Sequence, residues 1–244
     1  IHTGTLETAT RGLVTFELRV DALERPVHSG IGCLLPDPCQ ALASLITSLA
    51  NPRDISGFID DCEPLSEEEI SLLDQSSSSE ETYARELGVK RGAKLRGSSA
   101  ESVYRRIVTE PSISIINMSA GQKGGGNSIQ PYARCCMGIR LTPGQDPERI
   151  EQVLHRHLSS QKVPYNLPFT LEKLHLGAKA WKGNLKGPFT KRYLSWLKEI
   201  YGQIATMPTG GALPFIADFE RAFPNIEIFI VGVEDPATAA HSHN

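Results

Sequence analysis

Seven histidines and five cysteines are the side chains from which a reactive centre can be built in this sequence. His241 and His243 stand two apart in the polar stretch Glu234 to Asn244, outside any helical pattern, where either imidazole can ligate a metal. A histidine-rich end is also a common composition for plain surface. His28 lies in the turn Pro26-Val27-His28-Ser29-Gly30 and reads, on its residues alone, as an exposed turn histidine. His155 and His157 are two apart inside a helical pattern, where such neighbours do not share a face, so they read as surface. Arg140 alternates with Cys135, Met137, Ile139 and Leu141. Its guanidinium therefore leaves the apolar side, either to fork onto a carboxylate or to sit in solvent. The run Gly121 to Asn127 is glycine-rich but lacks the Gly-Lys-Ser/Thr ending of a phosphate loop. Ser159 and Lys162 satisfy a Ser-x-x-Lys pattern with no partner motif.

Composition removes several function classes. The 25 Lys+Arg against 28 Asp+Glu leave a formal charge of -3, which argues against nucleic acid as a partner. No apolar run approaches the roughly 18 to 20 residues of a membrane span, and Ile1 to Arg11 is polar, so no membrane partner is expected. Five cysteines, an odd number without CxxC spacing, do not make a disulfide scaffold and fit a reducing, cytoplasmic location.

The elements that must carry these residues follow from periodicity. Val14, Phe16, Leu18 and Val20 alternate with polar residues over 11–20 and predict a half-buried strand. Asp37-Pro38 predicts a helix start, with Leu42, Leu45, Ile46 and Leu49 as its apolar stripe and Asn51-Pro52 as its stop. Residues 111–117 and 133–141 predict two more strands. Asp146-Pro147 opens a second helix striped by Ile150, Val153, Leu154 and Leu158, and 168–174 supplies a last strand. This βαββαβ order is ferredoxin-like and covers residues 11–175. It is interrupted over about 52–110 by a polar insertion in which Ser66 and Glu69 form a capping box, expected as an exposed decoration. From Leu185 onward, Phe189, Tyr193, Leu194, Leu197 and Ile200 stripe a helix ended by Gly202, and Phe215, Ile216, Phe219 and Phe223 stripe another. Ile226 to Val233 is apolar enough to predict a strand covered on both faces. Residues 185–244 thus read as part of a larger α/β domain that is incomplete here, and the whole chain as mixed α/β (α+β).

Taken in order, RGLVTFELRV with VHSGIGCLLPDP, NSIQP with GIRLTPGQDP, GAKAW, TGGALP and AHSHN resemble the aminoacylase, succinyl-diaminopimelate desuccinylase and carnosine dipeptidase family of dinuclear zinc hydrolases. The stretch Gly57 to Glu69 resembles the dipeptidase branch of that family. The resemblance implies that residues 11–175 are a lid, or dimerisation, domain that makes a homodimer. Residues 1–10 and 176–244 are then parts of the catalytic domain. It implies a role for His241 as zinc ligand and for His28 as a residue that crosses the dimer interface to stabilise an oxyanion. It likewise implies that Asn127 helps to hold substrate, that Arg140 binds its carboxylate, and that Gly210 and Gly211 form a turn that brings backbone close to it. The implied cofactor is a pair of zinc ions, with other divalent metals as alternatives. The implied substrate is a dipeptide or short peptide with a free carboxylate.

Four positions depart from the family pattern. Gln130 stands where proline is usual, Ala212 where serine is, Cys33 where glycine is, and Thr209 replaces an acidic residue. The family's other metal ligands and general base belong to a stretch upstream of Ile1, so the isolated chain is expected to be inactive. Two alternatives stay open at this point. One is an N-acyl amino acid amidohydrolase, and the other a non-catalytic dimerisation module.

Overall fold

The computed structural model describes residues 4–97, 100–121 and 126–231. In chain order the elements are β1 (Gly4–Thr10), β2 (Gly12–Asp21), β3 (Val27–His28), α1 (Pro38–Ser48), α2 (Glu67–Ser76), α3 (Glu80–Glu86), α4 (Val103–Thr109) and β4 (Ser112–Ser119). There follow β5 (Ser128–Ile129), β6 (Tyr132–Leu141), α5 (Pro147–Ser159), β7 (Phe169–Lys173), β8 (Trp181–Lys182), α6 (Pro188–Tyr201), β9 (Ile204–Thr209) and α7 (Phe215–Ala222). Contacts divide the chain into two units, Leu13–Cys62 with Pro111–Ala178, and Ile1–Gly12 with Glu63–Glu110 and Lys179–Asn244.

In the first of these units four strands form one sheet in the order β4-β6-β2-β7, the ferredoxin-like arrangement. Val14, Phe16, Leu18 and Val20 of β2 point to one face and are buried, while the residues between them stay half-exposed. Leu42 and Leu45 of α1, and Ile150, Leu154 and Leu158 of α5, close over that face with Met137, Ile139 and Leu141 of β6. Burial of each such side chain favours the fold by about 1.5–3 kcal/mol. Both helices start as Asp-Pro predicts: the Asp37 carboxylate accepts from the N–H of Cys39 at 2.8 Å, and that of Asp146 from Glu148 at 3.0 Å. His155 is exposed, whereas His157 is half-buried with Nε2 3.1 Å from the Ser48 carbonyl oxygen, so only one of the pair is plain surface.

The other unit carries a three-stranded sheet in the order β8-β1-β9, with β1 and β9 parallel. The insertion is no exposed decoration along its whole length. From Glu63 to Glu110 it belongs to this unit, and Leu73 of α2 and Val108 of α4 bury against Ala9 of β1. Part of it stays exposed, since α3 buries no residue, and the Ser66–Glu69 capping box forms as the sequence predicts. The strand expected over 226–233 is not built within the described residues. Among the described residues Ile230 makes an antiparallel bridge to Glu7, next to Ala9 and Thr10, which pair with Lys182 and Trp181.

Candidate functional site

Within the ferredoxin-like unit, β3 and β5 pair as a two-stranded ribbon, with Val27 opposite Ile129 and His28 opposite Ser128. The ribbon is fastened next to His28, between Ser29 and Asn127. The Ser29 N–H donates to the Asn127 carbonyl at 2.9 Å, and the Ser29 hydroxyl donates to Asn127 Oδ1 at 2.6 Å. Ser29 is a residue that sequence reasoning missed, its only signal being its place between His28 and Gly30. With Oδ1 occupied, the Asn127 side-chain amide is left with its two N–H donors outward.

His28 is exposed and caps the 3-10 turn Ser29–Leu34: its Nδ1 accepts from the Gly30 N–H at 3.0 Å. An Nδ1 that accepts is unprotonated in the neutral ring, so this bond assigns the proton to Nε2. His28 therefore presents an Nε2–H donor that has no hydrogen-bond partner among the described residues. Glycine at position 30 is required for this, because a Cβ there would stand 2.9 Å from Nδ1 and push the ring aside.

Arg140 is half-buried on the face of β6 opposite Met137 and Ile139, as the alternation predicts, and pairs with Ser112 at the start of β4. His28 and Asn127 lie beyond the other end of the sheet. There the N–H groups of Ala22 and Leu23 reach the Pro131 carbonyl at 2.8 and 3.1 Å, just before Tyr132 begins β6. From Tyr132 to Arg140 the strand advances eight residues, or about 27 Å. The structure brings His28 and Asn127 together and keeps Arg140 apart from them within one chain.

One edge of this sheet is β4, which pairs only with β6 among the described strands. It leaves Ile116 63% and Met118 55% exposed. A long edge strand with exposed apolar side chains is a template for another strand.

In the other unit, Gly210 and Gly211 follow the end of β9. The Arg11 N–H donates to the Gly211 carbonyl at 2.9 Å, and the Gly211 N–H lies 3.5 Å from Thr209 Oγ1. Neither glycine has a positive φ. A Cβ at Gly210 would meet nothing within 4 Å, and one at Gly211 only Thr209 Oγ1 at 3.7 Å. Nothing inside the described unit requires glycine here. The helix that follows starts at Phe215, so the turn is not itself the helix N-terminus. His241 and His243 lie outside the described residues.

Among the described residues no group of three His, Cys, Asp or Glu side chains can hold a metal ion. The described residues do not on their own fit a dinuclear metal centre. Nor is there an activated thiol at Cys135, whose burial beside Cys136 pushes its pKa up to about 11. Glu227 is the reverse case. Desolvation pushes its carboxyl up, but the N–H groups of Thr190 and Phe189 and the Thr190 hydroxyl, all donating to it, leave it below the ordinary range. It caps the start of α6.

An α+β unit with an open apolar strand edge offers a place where a further strand can pair. The chain belongs to the M20 peptidase dimerisation domain family, whose model, described as a peptidase dimerisation domain, matches residues 8–166. Over 241 residues it is 24% identical to a cysteinylglycine-S-conjugate dipeptidase of Corynebacterium striatum, covering 97% of this chain and 51% of that protein. The M20 family metallo-carboxypeptidase Sso-CP2 of Sulfolobus solfataricus shares the fold with a TM-score of 0.79 and 22% identity, over 95% of this chain and 60% of that one. Human carnosine dipeptidase 1 gives 0.75 and 21%, over 95% and 50%. The dipeptidase Dug1p of Saccharomyces cerevisiae gives 0.77 and 19%, over 94% and 49%. The chain thus spans about half the length of that dipeptidase of Corynebacterium striatum.

Proposed function

We propose that the full-length protein is a zinc-dependent homodimeric peptidase that hydrolyses the amide bond of a dipeptide or short peptide with a free carboxylate. The observation that carries this reading is the separation of His28 and Asn127 from Arg140. Two extended residues span at most about 7 Å, far less than the stretch of β6 between these groups. One dipeptide can engage both only if they come from different subunits.

The edge strand supplies a way to do this. If β4 pairs with its own copy about a two-fold axis, the strands run antiparallel. The Ser119 end of one then lies by the Ser112 end of the other, so the His28 ribbon of one subunit approaches the Arg140 end of its partner. In that arrangement the Arg140 guanidinium forks onto the substrate carboxylate and Asn127 donates to the same ligand. The Nε2–H of His28 donates to the carbonyl oxygen as negative charge develops there. Gly210 and Gly211, which no internal contact requires, suit the approach of substrate to backbone. The reading assigns His241 to the metal and residues 176–244 to the catalytic domain. The exposed stripe Phe189, Trp196 and Ile200 on α6 supports an α/β domain that continues beyond this chain. No helix among the described residues is long and apolar enough to cross a membrane.

A substrate panel on the full-length protein tests the reading. Free dipeptides should turn over, and the same dipeptides amidated at the C-terminus should be cleaved poorly, because Arg140 then lacks its carboxylate. Preference for N-acyl amino acids would make it a deacylase. No turnover of either class would leave a dimerisation module.

A further inference from the structure

The segment Glu63–Glu110 is packed against the strand that ends in the Gly210–Gly211 turn, and three bonds make the connection specific. On one side of β9 the ladder is with β1; on the other, the Thr206 N–H is satisfied by the Ser76 hydroxyl oxygen at the end of α2, at 3.2 Å. The second and third bonds come from Arg11, which is 8% exposed. Its Nη1 donates to the Ile107 carbonyl at 3.0 Å and its Nη2 to the Glu110 carbonyl at 2.7 Å. These two carbonyls belong to the end of α4, where backbone acceptors have no intrahelical donor. One residue therefore holds α4 through its side chain and the Gly211 carbonyl through its backbone N–H, at 2.9 Å.

The consequence is mechanical. Gly210 and Gly211 are not fixed by positive φ or by close neighbours, so their position depends on what grips them from outside. On the described residues that grip is Thr10 paired with Thr209, Arg11 bonded to Gly211, and behind them the ends of α2 and α4. We infer that Arg11 is a positioning residue for the Gly210–Gly211 turn, and that the inserted segment 63–110 sets, through Arg11 and Ser76, how that turn meets substrate. The inference rests on the proposed reading that the turn touches substrate, and it assigns to the insertion a part in substrate binding.

The test is kinetic, on the full-length protein, with Arg11→Lys, Ser76→Ala and Gly211→Ala compared with wild type. Lysine keeps the charge but reaches only one of the two carbonyls, so KM should rise about tenfold with kcat little changed. Ser76→Ala leaves the Thr206 N–H without its acceptor and should raise KM less, in the same direction, in a protein that still folds. Gly211→Ala, whose Cβ has room, reports on the turn itself. A rise in KM for all three supports the inference. A rise for Gly211→Ala with an unchanged KM in both Arg11→Lys and Ser76→Ala, whatever their loss of melting temperature, overturns it and leaves the turn's role standing. No change in KM for Gly211→Ala removes the turn from substrate binding, and the inference with it.

Discussion

If His28 acts in its partner's site, two inactive variants should repair one another. Replacing His28 by Ala removes the Nε2–H donor whose tautomer the Gly30 N–H fixes. The loss of one oxyanion donor costs about a hundredfold to a thousandfold in kcat, or about 2.7–4 kcal/mol. The fold itself loses only an exposed cap bond, so the melting temperature should barely move. Arg140→Ala removes the carboxylate clamp at the other end of β6. When the two variants are mixed and subunits exchange, half of the dimers are mixed. Each mixed dimer holds one site with the His28 of one chain and the Arg140 of the other, and one site with neither. Activity should return to about a quarter of wild type from two nearly silent parents, as a two-fold assembly with shared sites requires. The assay is dipeptide turnover against mixing ratio, with size checked by light scattering. A mixture that never exceeds the average of its parents, although mixed dimers have formed, would refute the shared site.

Other outcomes follow from single interactions. Ile116→Lys puts a charge on the exposed edge of β4 and should turn a dimer into a monomer by sedimentation, with helix content unchanged and turnover lost. Arg140→Lys, retaining charge without the fork, should raise KM for free dipeptides and leave amidated analogues unaffected. Phe58→Ala empties a fully buried position in the ferredoxin-like core and should cost about 3–5 kcal/mol in denaturant unfolding. Glu227 has a carboxyl lowered below 4.5 in the fold, so its contribution to stability is complete above that value and lost as pH falls through the lowered one. The melting-temperature gap between wild type and Glu227→Gln should therefore be widest at neutral pH and close in acid; a gap that widens in acid would contradict the capping bond.

The ferredoxin-like unit was legible because its signals are strong and local. β2 alternates without interruption, both helices carry Asp-Pro starts, and each apolar stripe faces one shared core. The strands of the other unit were not legible. β1 buries threonines, Thr8 and Thr10, where large apolar residues are expected. β9 contains Pro208, a residue that argues against a strand; it is tolerated opposite Ala9, where the register shifts. Of the strand expected over 226–233, the described part makes an antiparallel bridge from Ile230 to Glu7, and residues 232 and 233 lie outside the described residues. At the site, the face of Arg140 could be read from alternation, and the roles of His28 and Asn127 came only through resemblance. The tautomer of His28, the Ser29 clamp on Asn127 and the distance to Arg140 depend on hydrogen bonds and strand length. No spacing in the sequence encodes them.

The most direct test of the central claim is dipeptide hydrolysis by the full-length protein before chelation, after dialysis against a chelator, and after zinc is returned. The account predicts turnover that disappears with the metal and comes back with it. Turnover that survives complete metal removal, or a metal-loaded protein that cleaves no dipeptide, would contradict it.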